Sequence, residues 1–153
     1  MWCVVVVSAF SRTVLVPMKH TDRQLLTDLR RALLHLHKVL LEWERDAYER
    51  VHGRMSAAGL LKVIVSDPQF AWLRPITELI VRIDGALEAE APDTRIDVDL
   101  LVTQARGILA PDDPSGVYAQ RYHAALQELP DAVIAHGRVT RLLKDVPTRE
   151  TLH

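Results

Sequence analysis

The feature of this sequence that most constrains its fold is a series of apolar residues spaced alternately by three and four positions. Residues at this spacing share one face of a helix, so the series predicts a long amphipathic helix whose apolar stripe packs against other helices. The stripe comprises Leu26, Leu29, Leu33, Leu36, Leu40, Trp43 and Ala47.

Both ends of this helix have sequence markers. Thr21, followed three residues later by Gln24, has the form of a capping box, in which each side chain satisfies a free backbone N–H of the first turn. At the other end, His52 is followed by Gly53, and glycine readily adopts the left-handed conformation that ends many helices. A helix of about 32 residues is ~48 Å long, so we expect it to be the central element of the fold.

Shorter helices are predicted after it. Ser56 can cap a short helix that carries the apolar residues Leu60, Leu61, Val63, Ile64 and Val65, although the β-branched residues among them leave a strand as the alternative. Asp67 and Pro68 are typical of a new helix start, and Pro75 predicts a break or kink because proline lacks a backbone N–H. The segment after Pro75 is expected to continue as a helix to near residues 91–92.

Three more helices are predicted in the second half. They begin at Asp93 or Asp97, at Val117 and at Pro130, and a loop rich in proline and aspartate separates the first two at residues 110–116. No pair of strands joined by a hairpin turn is apparent after Met18. The predicted fold class is therefore all-α, a compact antiparallel helical bundle of about five or six helices with a long first helix.

The chain has 153 residues, and the pattern predicts one domain at residues 18–146. Residues 1–17 differ from the rest, since residues 2–7 are mostly β-branched, and Met18 opens a more ordinary beginning. We therefore expect residues 1–17 to be an atypical extension from an upstream start, with a short strand or a membrane-surface tail as alternatives. Residues 147–153 are expected to form a frayed tail.

Charge and cysteine content restrict the class of protein. The net charge is −1, and acidic residues interleave with the arginines of the first helix, so we expect no nucleic-acid partner. The apolar run near the N-terminus is shorter than the ~20 residues that a membrane-spanning helix needs. Cys3 is the single cysteine and cannot form an intramolecular disulfide, so a cytoplasmic location is expected.

Histidine and glutamate side chains offer candidates for a metal site, because helical bundles build such sites from inward-facing His and Glu. The candidates are His37, Glu44, His123 and His136. The bundle shape invites comparison with hemerythrin-like proteins, but neither His35 nor His37 is followed by the glutamate four residues later that their pattern requires. No cofactor is predicted, and metal binding stays open.

The segment 67–75 is the most distinctive in composition. It places Phe70, Trp72 and Arg74 between two prolines, and aromatic residues and arginine are enriched where protein partners dock. These three residues are therefore candidates for an interaction surface. The alternative is that Phe70 and Trp72 close one end of the bundle core.

The sequence contains no glycine-rich phosphate loop and no nucleophile motif, so it gives no support for an enzyme. The leading hypothesis is a non-enzymatic interaction or regulatory protein, with homodimerisation through the first helix. That helix carries more apolar positions than one contact face uses, namely Leu25, Leu34, Val39, Leu41 and Val51. The alternative hypothesis is a metal- or cofactor-binding bundle of hemerythrin-like shape.

Overall fold

The computed structural model describes residues 20–89 and 98–147. Within these ranges it contains six α-helices and no strand, which confirms the predicted all-α class. The helices are α1 (His20–His52), α2 (Ala57–Ser66), α3 (Arg74–Glu88), α4 (Val98–Leu109), α5 (Val117–Glu128) and α6 (Pro130–Lys144), with a 3₁₀ segment (Pro68–Leu73) between α2 and α3. The predicted extension 1–17, the caps Asp93 and Asp97, and residues 148–153 of the predicted tail lie outside the described residues.

The long first helix ends as predicted and begins one residue early. Gly53 has a φ of +84°, the left-handed conformation expected after the last turn, and its N–H donates to the Glu49 carbonyl at 2.8 Å. The helix begins at His20, so Thr21 lies inside it. The Gln24 amide NH₂ donates forward to Asp28 Oδ1 at 3.1 Å. The predicted capping box would instead have the Gln24 side-chain oxygen accept from the Thr21 backbone N–H.

The main core lies between α1, α3 and α6. α1 packs chiefly against α6 and α3, while α4 lies against α3 and α6. The five leucines of the predicted stripe, from Leu26 to Leu40, are completely buried. They meet apolar side chains such as Ile76 and Ile83 of α3 and Val139 of α6 in one contiguous cluster. Arg30 also forms an ion pair with Asp84, which links α1 to α3 at the edge of this core.

Capping residues explain the short elements after α1. Ser56 Oγ accepts a hydrogen bond from the Gly59 N–H at 3.2 Å, so residues 57–66 form a helix and not the alternative strand. Asp67 Oδ1 accepts from the Gln69 N–H at 2.9 Å and starts the 3₁₀ segment, where an ordinary helix was expected. Pro75 lies in the first turn of α3, which confirms the predicted break. A backbone N–H in the first turn has no hydrogen-bond acceptor within the helix, so proline breaks no hydrogen bond at this position.

The helix α2 stands apart from the core. It packs mainly against the 3₁₀ segment, and none of its ten residues is buried. In the part of the chain that the structure describes, no helix combines the length and the apolar character needed to cross a membrane.

Candidate functional site

The buried stripe of α1 changes course after Leu40. The sequence pattern continues to Trp43 and Ala47, yet these residues are half-buried, and Glu44 and Tyr48 are the buried ones. The stripe thus advances by steps of four beyond Leu40. Its first half faces α3 and α6, whereas its last half meets the 3₁₀ segment and a side chain from α5. The carboxylate of Glu44 therefore occupies a buried position where α1 meets the 3₁₀ segment and α5.

Glu44 is completely buried, and it is the one charged or polar residue in the described ranges that is. Its Oε1 accepts hydrogen bonds from Gln69 Nε2 at 2.9 Å and from the Arg121 guanidinium at 2.5 Å. Its Oε2 accepts from Trp72 Nε1 at 3.1 Å and from the same guanidinium. A buried carboxylate is tolerable only when its charge is paired and its oxygens are hydrogen-bonded, and both conditions hold here.

Arg121 connects this buried carboxylate to the surface. Its side chain is 39% exposed, and the guanidinium carbon lies 4.9 Å from the centroid of the Trp43 ring, in cation–π geometry. The Trp43 indole N–H in turn donates to Glu128 Oε2 at 3.0 Å. Glu44, Arg121, Trp43 and Glu128 therefore form a polar connection between α1 and α5.

Aromatic rings on α1, the 3₁₀ segment and α5 lie in the same part of the molecule as Glu44. We call Trp43, Tyr48, Phe70, Trp72, Tyr118 and Tyr122 the aromatic cluster. Ring centroids are 6.5 Å apart between Trp43 and Trp72, 5.9 Å between Trp72 and Tyr118, and 5.5 Å between Tyr118 and Tyr122. These separations are typical of packed aromatic pairs. The rings pack against one another in edge-to-face, tilted and stacked pairs.

Burial also affects protonation in the aromatic cluster. It raises the pKa of Tyr118 and of Tyr122, so both phenols stay neutral. The Tyr118 hydroxyl donates to the Ile108 carbonyl at 2.9 Å, and the Tyr122 hydroxyl lies 2.9 Å from His136 Nδ1. Burial lowers the pKa of His136, which therefore favours the neutral imidazole. Hydrogen bonding thus joins α5 to α4 and to α6.

The four metal candidates each contact a different side chain. Glu44 is held as described, His37 Nε2 lies 3.1 Å from Thr77 Oγ1, His123 Nε2 lies 3.0 Å from Gln127 Nε2, and His136 contacts Tyr122. Among the described residues, no three His, Cys, Asp or Glu side chains lie close enough together to hold a metal ion.

The sequence also holds two Glu-x-x-His pairs that the candidate set did not include. One is Glu49 with His52, and the other is Glu150 with His153, which lies outside the described residues. Such spacing is found in ferritin-like metal sites. Here Glu49 Oε1 accepts from Arg45 at 3.2 Å, while His52 Nδ1 lies 3.1 Å from the Tyr48 carbonyl.

The three interaction candidates have different environments. Phe70 and Trp72 are 3% and 7% exposed, the placement expected if they close the core, whereas Arg74 is exposed. Phe70 and Arg74 also line a groove of about 420 Å³, together with His37. A binding role for these residues stays a prediction. Gln69 and Arg121, which the sequence analysis did not select, are the residues that complete the Glu44 site.

That groove adjoins the C-terminal end of α2, and we call it the α2 groove. Its lining is mainly apolar and includes Leu41, Ile64, Val65 and Leu73 besides Phe70. Burial lowers the pKa of His37 at its side. The groove can therefore take apolar side chains beside one cationic residue, Arg74.

The outward face of α2 is apolar as well. Ala58, Leu61 and Val65 follow at steps of three and four and are all exposed, Leu61 by 65% and Val65 by 74%. Lys62 beside them is the only charged residue of the helix. Together with the α2 groove, this face forms a continuous apolar region, because Val65 belongs to both.

We compared the chain with protein-family models, with curated protein sequences and with solved structures, and none of the three comparisons gives a match. The functional interpretation therefore depends on the geometry of the residues described above.

Proposed function

We propose that this protein is a non-enzymatic interaction protein that pairs with a second copy of itself through α2. The observation that carries the proposal is that α2 is predominantly apolar and yet has no buried residue. Contiguous apolar side chains on a surface are typical of a protein–protein interface. A helix of this composition gains its burial from a second molecule.

The proposed interface lies on α2, whereas the sequence favoured an interface on the first helix, α1. Of the five surplus apolar residues of α1, Leu25, Val39 and Leu41 pack against the edge of the monomer core. Only Leu34 and Val51 are exposed, and they lie 17 positions apart in the sequence, about 25 Å along the helix axis. This is too sparse for one contact stripe, which is why we place the interface on α2.

The sequence of α2 suits an antiparallel pair of identical helices. In a two-fold arrangement centred between positions 61 and 62, Ala58 of one copy faces Val65 of the other, so a small residue lies under a larger one. Leu61 then faces the partner's Lys62, whose aliphatic stem can cover it while the ammonium group stays in water. The same surface serves both copies, as two-fold symmetry requires.

The Glu44 site supports this proposal indirectly. α2 packs mainly on the 3₁₀ segment, and Glu44 holds that segment through Gln69 and Trp72. The buried carboxylate thus fixes the support on which the exposed helix rests. Because α2 is only ~15 Å long, the paired helices bury less than the ~1,200 Å² at which stable interfaces begin, and we expect a reversible dimer.

Sedimentation velocity on the full chain tests the proposal. From about 1 μM to about 1 mM, the range in which small interfaces dissociate, we expect the monomer to convert to a dimer. Leu61→Lys should keep the protein monomeric throughout, because it puts a second ammonium group opposite the partner's Lys62, where like charges repel. Val81→Lys is the matched control, since Val81 is 62% exposed on α3, and it should leave the equilibrium unchanged.

Two results would contradict the proposal. One is a wild-type protein that stays monomeric at every concentration. The other is a dimer that Leu61→Lys leaves intact. Circular dichroism of each variant establishes that the helices are retained.

A further inference from the structure

A second and larger groove lies on a different part of the molecule. It has a volume of about 840 Å³ and runs between the first half of α1 and the second half of α6. Its apolar floor consists of Leu25 and Ala32 from α1, of Leu142 from α6 and of Val146, which follows α6, and all four are half-buried. Two helices with an apolar valley between them present the surface on which a third helix packs.

The sides of this groove carry more positive than negative side chains. Arg31 of α1 and Arg138 and Arg141 of α6 line it and are exposed. No carboxylate among the described residues forms an ion pair with any of the three. Two aspartates also line the groove, and one of them, Asp28, already accepts a hydrogen bond from Gln24.

We infer that this groove binds an amphipathic helix of a partner protein whose apolar stripe is flanked by carboxylates. The floor would take the stripe, and the three arginines would pair with the carboxylates on either side of it. A flat anionic membrane fits less well, because the floor is recessed between two helices and a bilayer surface cannot enter the groove. The inference is independent of pairing through α2.

Fluorescence anisotropy with a designed probe tests this inference on the full chain. The probe is a labelled helical peptide with leucine and alanine on one face and glutamate on the other. The matched peptide carries lysine in place of every glutamate. We expect saturable binding of the glutamate peptide, about tenfold or more tighter than that of the lysine peptide, and weakening as salt screens the arginines.

Charge-reversal variants locate the binding. The double variant Arg138→Glu with Arg141→Glu should weaken binding of the glutamate peptide about tenfold or more. The matched control reverses two exposed cations that do not line the groove, as Lys144→Glu with Arg82→Glu, and should bind like wild type. Leu61→Lys should also bind like wild type, which separates this result from the outcome of the dimer experiment.

Three results would overturn the inference. The first is equal affinity for the two peptides, and the second is an equal loss in both double variants. The third is binding to vesicles that contain one-fifth anionic lipid without binding to the glutamate peptide, which would assign the arginines to a membrane surface.

Discussion

The two halves of α1 are buried in different ways. The first half contributes five completely buried leucines to a core shared with α3 and α6. The second half contributes Glu44 and Tyr48, which lie among aromatic rings and hydrogen-bond donors. The first half is stabilised by apolar area, which has no directional requirement. The second half depends on donors placed within hydrogen-bonding distance of two particular oxygen atoms.

This difference indicates different roles in the fold. Burial of leucine contributes directly to the free energy of unfolding. A buried ion pair contributes little net stability, because desolvation offsets the attraction, but the loss of one partner is costly. We therefore interpret the Glu44 site as the element that fixes where the 3₁₀ segment and α5 lie relative to α1.

The largest effect is expected in the leucine half. Leu33→Ala should lower the free energy of unfolding by about 3 kcal/mol, since it removes buried methyl groups and leaves a cavity. Leu34→Ala, one residue further on and 39% exposed, should cost less than about 1 kcal/mol. Urea unfolding followed by circular dichroism measures both values. Similar losses in the two variants would show that the leucine stripe is not the core of this protein.

An intermediate effect is expected at the carboxylate. Glu44→Gln should cost about 2 kcal/mol, because its amide NH₂ would face donors where an oxygen now accepts. The partly exposed guanidinium can turn to water, which limits the loss.

A double-mutant cycle isolates the pair. Arg121→Met keeps an aliphatic stem next to Trp43 and removes the charge. We expect a coupling energy of about 1 kcal/mol or more between Glu44→Gln and Arg121→Met. Strictly additive losses would mean that the two side chains do not stabilise each other, and the contrast between the halves of α1 would disappear.

The smallest effect concerns pH. Burial lowers the pKa of His136 below its ordinary value of about 6.5, so the unfolded chain binds a proton that the folded chain resists. The free energy of unfolding should have its full value above about pH 6.5 and should decline as the pH falls from there toward the pKa of His136 in the folded protein. Urea unfolding at several pH values measures the slope of the free energy of unfolding against pH.

The pH prediction can be assigned to a residue. His136→Gln should reduce the dependence of the free energy of unfolding on pH. Burial also lowers the pKa of His37, so His37→Gln should remove a further part of the slope. A slope that survives the loss of both His37 and His136 would require another titrating group.

Part of this structure could be predicted from local sequence. The spacing from Leu26 to Leu40 predicted a buried stripe, and Ser56, Asp67, Gly53 and Pro75 marked the ends of elements. These features depend on helical periodicity and on hydrogen bonds between near neighbours, and residues close together in the sequence determine both. Extending the stripe from Leu40 in steps of four would also have reached Glu44, which is the one indication the sequence contained of its burial.

What surrounds Glu44 was decided by tertiary structure. Its hydrogen-bond donors, Gln69, Trp72 and Arg121, lie 25, 28 and 77 residues away in the sequence, and no local pattern links them. The exposure of α2 was also decided by tertiary structure, because the local sequence of an apolar helix is the same whether the helix is buried or exposed. Local sequence determines which residues share a helical face, but only the packing of distant segments determines what that face meets.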